Sequence, residues 1–152
     1  MTETNRQCFT VCVFQDAVWA DRGLSALCDS GFERDSLSVL AKSSTGTEAL
    51  VKKVLEVDPE RLQVKGLGEV LAFGSLVRTL QGADGGLGLT GVAATIRRAG
   101  FQAHDGFIYQ TLTERGGVLV AVDDEPRAAD ALALFHSYGG GNAAIGAWMG
   151  RV

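Results

Sequence analysis

The side chains in this sequence that could do chemistry are few, and their spacing limits what they can do. Three cysteines, Cys8, Cys12 and Cys28, and two histidines, His104 and His136, are the natural metal ligands. Cys8 and Cys12 both lie in "CFTVCVF", a β-branched and aromatic run that reads as a strand. Four residues of strand span roughly 13 Å, too far for two ligands of one tetrahedral ion. Cys28 falls on the helix that follows. The thiols are therefore expected to be free and to pack as small hydrophobes, with no metal bound. His104 precedes Asp105 at a predicted helix start, which suits capping, and His136 lies near a helix C-terminus, which suits a dipole-stabilised imidazole. With Tyr109 these histidines are the candidate ligand-binding residues, and they name no cofactor.

The carboxylates and glycines are weighed in the same way. Asp123-Asp124-Glu125 follows a predicted strand and opens a helix. Acidic residues there favour the positive helix end, a better account than weak cation binding. No Ser-His-Asp order, nucleophile elbow or carboxylate pair stands out, so no catalytic residue is assigned. In "ERGGVLVAVDD" a phosphate loop would need the order strand, glycine turn, helix. The order here is helix, Gly116-Gly117, strand, so the pair reads as a helix C-terminal cap, with a left-handed backbone expected at Gly117. "GADGGLGLTG" and "YGGGN" match no nucleotide fingerprint. Because "GGLGLTG" precedes a predicted helix, Leu89-Thr90-Gly91 is a candidate anion site.

These residues must be positioned by a chain of 152 residues, enough for one domain with its own core. The net charge of −4 and the absence of any Lys/Arg cluster longer than two argue against nucleic acid. No apolar run reaches the ~18 residues of a membrane span. The first residues, "MTETNRQCFT", lack a secretory pattern, and the odd cysteine count suits a reduced setting, so a cytoplasmic location is expected.

Along the chain, 8–14 reads as a strand, "AVWADRGLSALCDSG" as a helix with Val18, Leu24, Leu27 and Cys28 inward, and 35–42 as a strand. Residues 43–60 read as a turn and short helix, and 61–77 as one strand bent at Gly66-Leu67-Gly68. A loop at 81–88, helices at 89–100 and 103–116, a strand at 117–122 and a helix at 125–139 follow. Phe107, Ile108 and Leu112 are expected inward on the second of these helices, and Ala128, Ala131, Leu132 and Phe135 on the last. The order predicts an α+β fold, a ferredoxin-like βαββαβ sandwich with extra helices on one face of a roughly four-stranded antiparallel sheet. "SGFERDSLSVLAK" and "AGFQAHDGFIYQ" share a Gly-Phe exit, consistent with a duplicated half. The domain is placed at 1–138, with 139–152 a glycine-hinged apolar tail.

"VFQDAVWADRGLSALCDSGFERDSLSVL", "GLGEVLAFGSLVRTL" and "AGFQAHDGFIYQTLTERGGVLVAV" resemble successive parts of the small bacterial general stress proteins, the heat-induced stress protein domain. The resemblance spans most of residues 8 to 138. It departs in the middle, where only "GADGGLGLTG" stands for a longer glycine zipper, and at Gly74-Ser75, where Gly-Pro is usual. It implies a role in stress physiology and brings no catalytic residues with it.

Two tryptophans complete the candidates. Trp19 sits off the apolar stripe of the first helix, and Ile145, Trp148 and Met149 recur at helical spacing in the tail. These four are the expected contact residues, with the tail predicted to dock on another chain. Three readings of function follow. The first is a non-enzymatic, cytoplasmic, stress-associated protein acting as a homo-oligomer or through a protein partner. The second is a small-ligand module with a pocket between sheet and helices near His104, Tyr109 and His136. The third is an enzyme of unrecognised type.

Overall fold

Strands that bury side chains on both faces should be apolar at nearly every position rather than at alternate ones. Three of the five strands are buried at every position or all but one. The computed structural model describes residues 9–140. Its strands are β1 (Thr10–Phe14), β2 (Leu37–Lys42), β3 (Glu60–Val64), β4 (Gly68–Phe73) and β5 (Val118–Val122). They form one antiparallel sheet in the order β1-β5-β2-β4-β3. β5 pairs on one side with β1, from Thr10↔Val122 to Phe14↔Val118, and on the other with β2, from Leu37↔Val122 to Ala41↔Val118.

Because side chains alternate along a strand, the sheet divides two cores. Val11, Val13, Leu40, Leu119 and Ala121 face one. Cys12, Phe14, Val39, Val118 and Val120 face the other. The first core is covered by α3 (Ser75–Gln81), α4 (Gly86–Thr90), α5 (Val92–Thr95) and α6 (Ala103–Glu114). The second is covered by α1 (Ala17–Asp29), α2 (Thr45–Leu50) and α7 (Ala128–Ser137). Phe14 and Phe135 meet edge to face there, with ring centroids 5.8 Å apart.

The α+β class is as expected, but the strand order is not that of a ferredoxin-like sandwich, and helices lie on both faces. The chain passes from β1 to β2 through α1 with β5 inserted between them, and from β4 to β5 through α3–α6 with β2 inserted. A two-fold axis normal to the sheet would put both crossovers on one face. They lie on opposite faces, so the shared Gly-Phe exits do not mark a duplicated unit.

The fifth strand comes from residues 61–77. Instead of one bent strand they form a hairpin, in which Leu67 N–H donates to the Val64 carbonyl (2.9 Å) and Gly66 has φ +88°. β3 exposes Glu60, Arg61 and Gln63 and forms a charged sheet edge, which discourages further pairing. The expected loop at 81–88 holds the start of α4. Asp84 shapes it, accepting from both Arg98 terminal nitrogens (2.9 and 2.8 Å) and from Gly86 N–H (3.0 Å). The Arg98 guanidinium holds the Asp84 carboxyl below its ordinary range.

Phe107, expected inward, is 68 % exposed. The buried face of α6 runs through Gly106, Tyr109, Leu112 and Thr113. It is set by Gly106, where a Cβ would overlap the Ile96 side chain on the facing segment, and that rotation turns Phe107 outward. α3 also depends on a neighbour. Its N-cap is Gly74, which has no side chain, so the fully buried Ser38 Oγ of β2 accepts from Leu76 N–H instead (3.0 Å). A buried bond of this kind contributes about 1 kcal/mol, and its loss would strand a donor in the interior.

Candidate functional site: the outer face of the first helix

Asp16 ends β1's exit loop and starts α1 by accepting the Trp19 N–H on its side chain (3.0 Å). Such a cap is typically worth ~1 kcal/mol. It also fixes the rotation of the helix. Ala20, Gly23, Leu24 and Leu27 are buried, so Gln15, Val18, Trp19 and Arg22 face outward. α1 packs between α2 and α7, and its outer ridge is flanked by a hollow on each side.

On the α7 side a cavity of about 360 Å³ is lined by Gln15, Trp19, His136, Ser137 and Gly139. Trp19 is 37 % exposed, with the Arg22 guanidinium 5.1 Å from the centre of its ring. Leu132, one turn before His136 on α7, is 41 % exposed. On the α2 side a groove of about 180 Å³ is lined by Ala17, Val18, Gly46, Ala49 and Leu50, with Asp21 and Lys53 at its rim. Lys53 Nζ and Asp21 Oδ2 are 2.8 Å apart, and Ser25 Oγ also donates to Asp21 (3.2 Å). Val18, above this groove, is 60 % exposed.

The structure brings together two residues that the sequence named for different reasons, Trp19 and His136. It separates the other ligand candidates from them. His104 is exposed near the start of α6, and Tyr109 is buried against Phe101, edge to face at 5.8 Å. Both belong to the helical layer on the far side of the sheet from α7, so no single pocket between sheet and helices joins them to His136. Ile145, Trp148 and Met149 lie outside the described residues. Sequence reasoning missed Val18 and Leu132, which it placed inward. The 4-then-3 spacing of Ala20, Leu24 and Leu27 was the signal that puts Val18 on the opposite side of α1.

The remaining candidates resolve as structure. The amides near Leu89-Thr90-Gly91 are already used: Leu89 N–H and Gly91 N–H donate to the Gly85 and Leu87 carbonyls (3.1 and 2.9 Å), and Gln110 Oε1 accepts from Ala93 N–H (2.8 Å). At the α6–β5 junction Gly116 N–H and Gly117 N–H donate to the Thr113 and Leu112 carbonyls (both 3.0 Å), closing the helix end. Asp123 N–H donates to the Ser36 carbonyl (2.7 Å), and Arg127 N–H to the Asp124 carbonyl (3.1 Å), in the turn that leads into α7. Cys12 and Cys28 are free thiols, and Cys8 lies outside the described residues. Burial pushes the Cys12 thiol well above its ordinary range, and partial burial raises Cys28 against the opposing charge of Arg34. Among the described residues no three His, Cys, Asp or Glu side chains are grouped to hold a metal ion.

The cavity therefore presents an indole, an imidazole, an amide and a hydroxyl, beside a mostly apolar groove whose rim charges are paired. That set can bind by contact and hydrogen bonding, and it contains no carboxylate pair for acid–base work. Compared with known families, curated proteins and solved structures, the chain matches no family model, no curated protein and no solved structure.

Proposed function

We propose that this is a non-enzymatic, stress-associated protein that acts by self-assembly or by holding a protein partner, through the outer face of α1. The observation that carries this reading is the half-exposed Trp19 beside a cavity, with Val18 and Leu132 exposed on the same layer. Exposed aromatic side chains next to hollows are typical contact anchors, because an indole removes a large area from water at small entropic cost. The stress association comes from the resemblance of residues 8–138 to the general stress proteins. A reduced cytoplasmic setting suits the free Cys12 and Cys28. No described helix is long and apolar enough to cross a membrane.

Trp19→Ala is the direct test, made at a temperature well below the variant's melting transition because Trp19, at 37 % exposure, is partly packed on its own chain. Folded under those conditions, the variant should lose either its oligomeric mass or a stoichiometric co-purifying protein. An unchanged mass together with an unchanged set of co-purifying proteins would rule out the α1 face. The small-ligand reading moves to the same cavity, where Trp19 and His136 face one space. A metabolite that raises the melting temperature of the parent and not of His136→Ala would favour it over assembly.

A further inference from the structure

We propose, building on the contact reading above, that the hollow beside Trp19 is filled by this chain's own C-terminal segment, residues 141–152, with Trp148 as the side chain that enters it. A partner at this face would compete with that segment.

The segment starts at the hollow. α7 ends in a glycine cap: Gly139, with φ +80°, donates its N–H to the His136 carbonyl (3.1 Å), and Gly140 N–H donates to the Phe135 carbonyl (2.8 Å). This pair of bonds reverses the chain at a helix end. It brings Gly140, which is buried, against β1, where a Cβ would lie 2.8 Å from Cys12 Sγ and 3.1 Å from the Phe135 carbonyl oxygen. These two glycines therefore hold the exit in place instead of acting as a free hinge. His136, Ser137 and Gly139 line the hollow from this cap, and Gln15 lines it from the end of β1.

Reach and chemistry both fit. From Cys12 to Gln15 is about 10 Å along the chain. From Gly140 to Trp148 the chain spans about 12 Å as a helix and at most about 28 Å when extended, so either conformation reaches the hollow. The tether raises the segment's effective concentration there to the order of millimolar, which favours its own domain over the neighbouring chain that the sequence suggested. Trp148 is the only aromatic residue and Arg151 the only charged side chain in 141–152. The described residues lining the hollow include no Asp, Glu, Lys or Arg, so an indole enters without stranding a charge. A buried indole N–H needs an acceptor, and Gln15 and Ser137 each offer a side-chain oxygen.

The test uses the full chain and its two tryptophans. Trp19→Phe leaves Trp148 as the only indole and keeps an aromatic wall on the hollow. In that protein the emission of Trp148 should be blue-shifted, and acrylamide should quench it several-fold less than after denaturation in guanidinium. Ser137→Phe and Gln15→Phe each fill the hollow from an exposed position, one on α7 and one at the end of β1. Added to Trp19→Phe, either should return the quenching of Trp148 to the denatured level with the far-ultraviolet circular dichroism unchanged. A freely quenched Trp148 in Trp19→Phe, or one equally protected in both filled variants, would overturn the proposal. Co-refolding Trp19→Phe with a large excess of chain that lacks both tryptophans and carries Ser137→Phe separates the docking modes. Protection that persists shows docking on the segment's own domain, and protection that is lost shows docking on a neighbour and overturns the proposal. If Trp148 is protected but Trp19→Ala changes neither mass nor the co-purifying proteins, the docked segment stands and the contact reading falls. If Trp148 is freely quenched while Trp19→Ala loses its partner, the contact reading stands and the docked segment falls.

Discussion

Replacing Gly74 by alanine is expected to destabilise the protein by roughly 3 kcal/mol or more, and replacing it by valine to prevent folding at ordinary temperatures. Two penalties add at this residue. Its backbone has φ +106°, a conformation that costs an L side chain energy wherever it occurs. Its Cα also lies against β2, so an added Cβ would overlap Ser38 Oγ, sit 2.5 Å from the Leu37 carbonyl oxygen and 2.6 Å from Ser38 Cα. Two of those three atoms are backbone and cannot swing away. Relief would require moving β2 or α3, and moving either breaks the Ser38–Leu76 bond that starts α3. Gly68→Ala is the control, because Gly68 also has positive φ (+80°) but nothing lies within 4 Å of its Cβ position. It should cost only the backbone term, about 1–2 kcal/mol. Equilibrium denaturation of the two variants separates the terms. Equal losses would mean that close approach to β2 contributes nothing.

Gly117→Val is the second large effect, at about 3 kcal/mol or more, and the structure changes its cause. The sequence suggested that Gly117 holds the left-handed turn between α6 and β5. The positive φ belongs to Gly116 (+102°), whose Cβ direction is open. Gly117 is required because it is crowded: a Cβ there would lie 2.5 Å from Val13 Cγ1, 2.8 Å from the Leu112 carbonyl oxygen and 3.1 Å from the Phe14 carbonyl oxygen. The last turn of α6 and the end of β1 converge on this one backbone position. Overpacking costs rise with each methyl group that has no exit, so valine should be clearly worse than alanine at 117. At 116 the cost should stay near the backbone penalty of about 1–2 kcal/mol. Unfolding curves for Gly116→Ala, Gly117→Ala and Gly117→Val give the ranking. If Gly116→Ala proves the most damaging, the dihedral outweighs the crowding.

The same pair of glycines shows what was legible in the sequence. The helix-to-strand order around 116–117 could be read because it depends on local pattern, an apolar pentad after a polar helix end. Which glycine is crowded depends on β1, a hundred residues away in sequence, and no local signal carries that. The strands were legible for a related reason: Val118–Val122 and Thr10–Phe14 are buried on nearly all sides, so their apolar runs are unbroken. Their order was not legible, because unbroken runs do not say which neighbour each strand takes. β3 was merged with β4 because its exposed Glu60, Arg61 and Gln63 break the apolar pattern at the sheet edge. At the site, Trp19 could be named because it stands off the apolar stripe read through Leu24 and Leu27, although that stripe wrongly included Val18. Its meeting with His136 could not, since it depends on α7 packing beside α1. Phe107 misled because the close approach at Gly106 sets the rotation of α6, and hydrophobicity alone pointed the other way.

The place of β5 has a consequence for how the protein is made. A ribosome delivers β1 first and β5 last among these strands, yet β5 is the strand that β1 pairs with in the sheet, and it fills the gap between β1 and β2. While residues 15 to 117 are being synthesised, the β2–β4–β3 meander can form, but β2 keeps one open edge and the apolar "TVCVF" of β1 has no strand to join. The final strand order cannot be reached before Val118–Val122 is available, because it is the pairing partner of both β1 and β2. The same backbone pairing is open to β5 of a neighbouring chain, which is the route by which domain swapping arises.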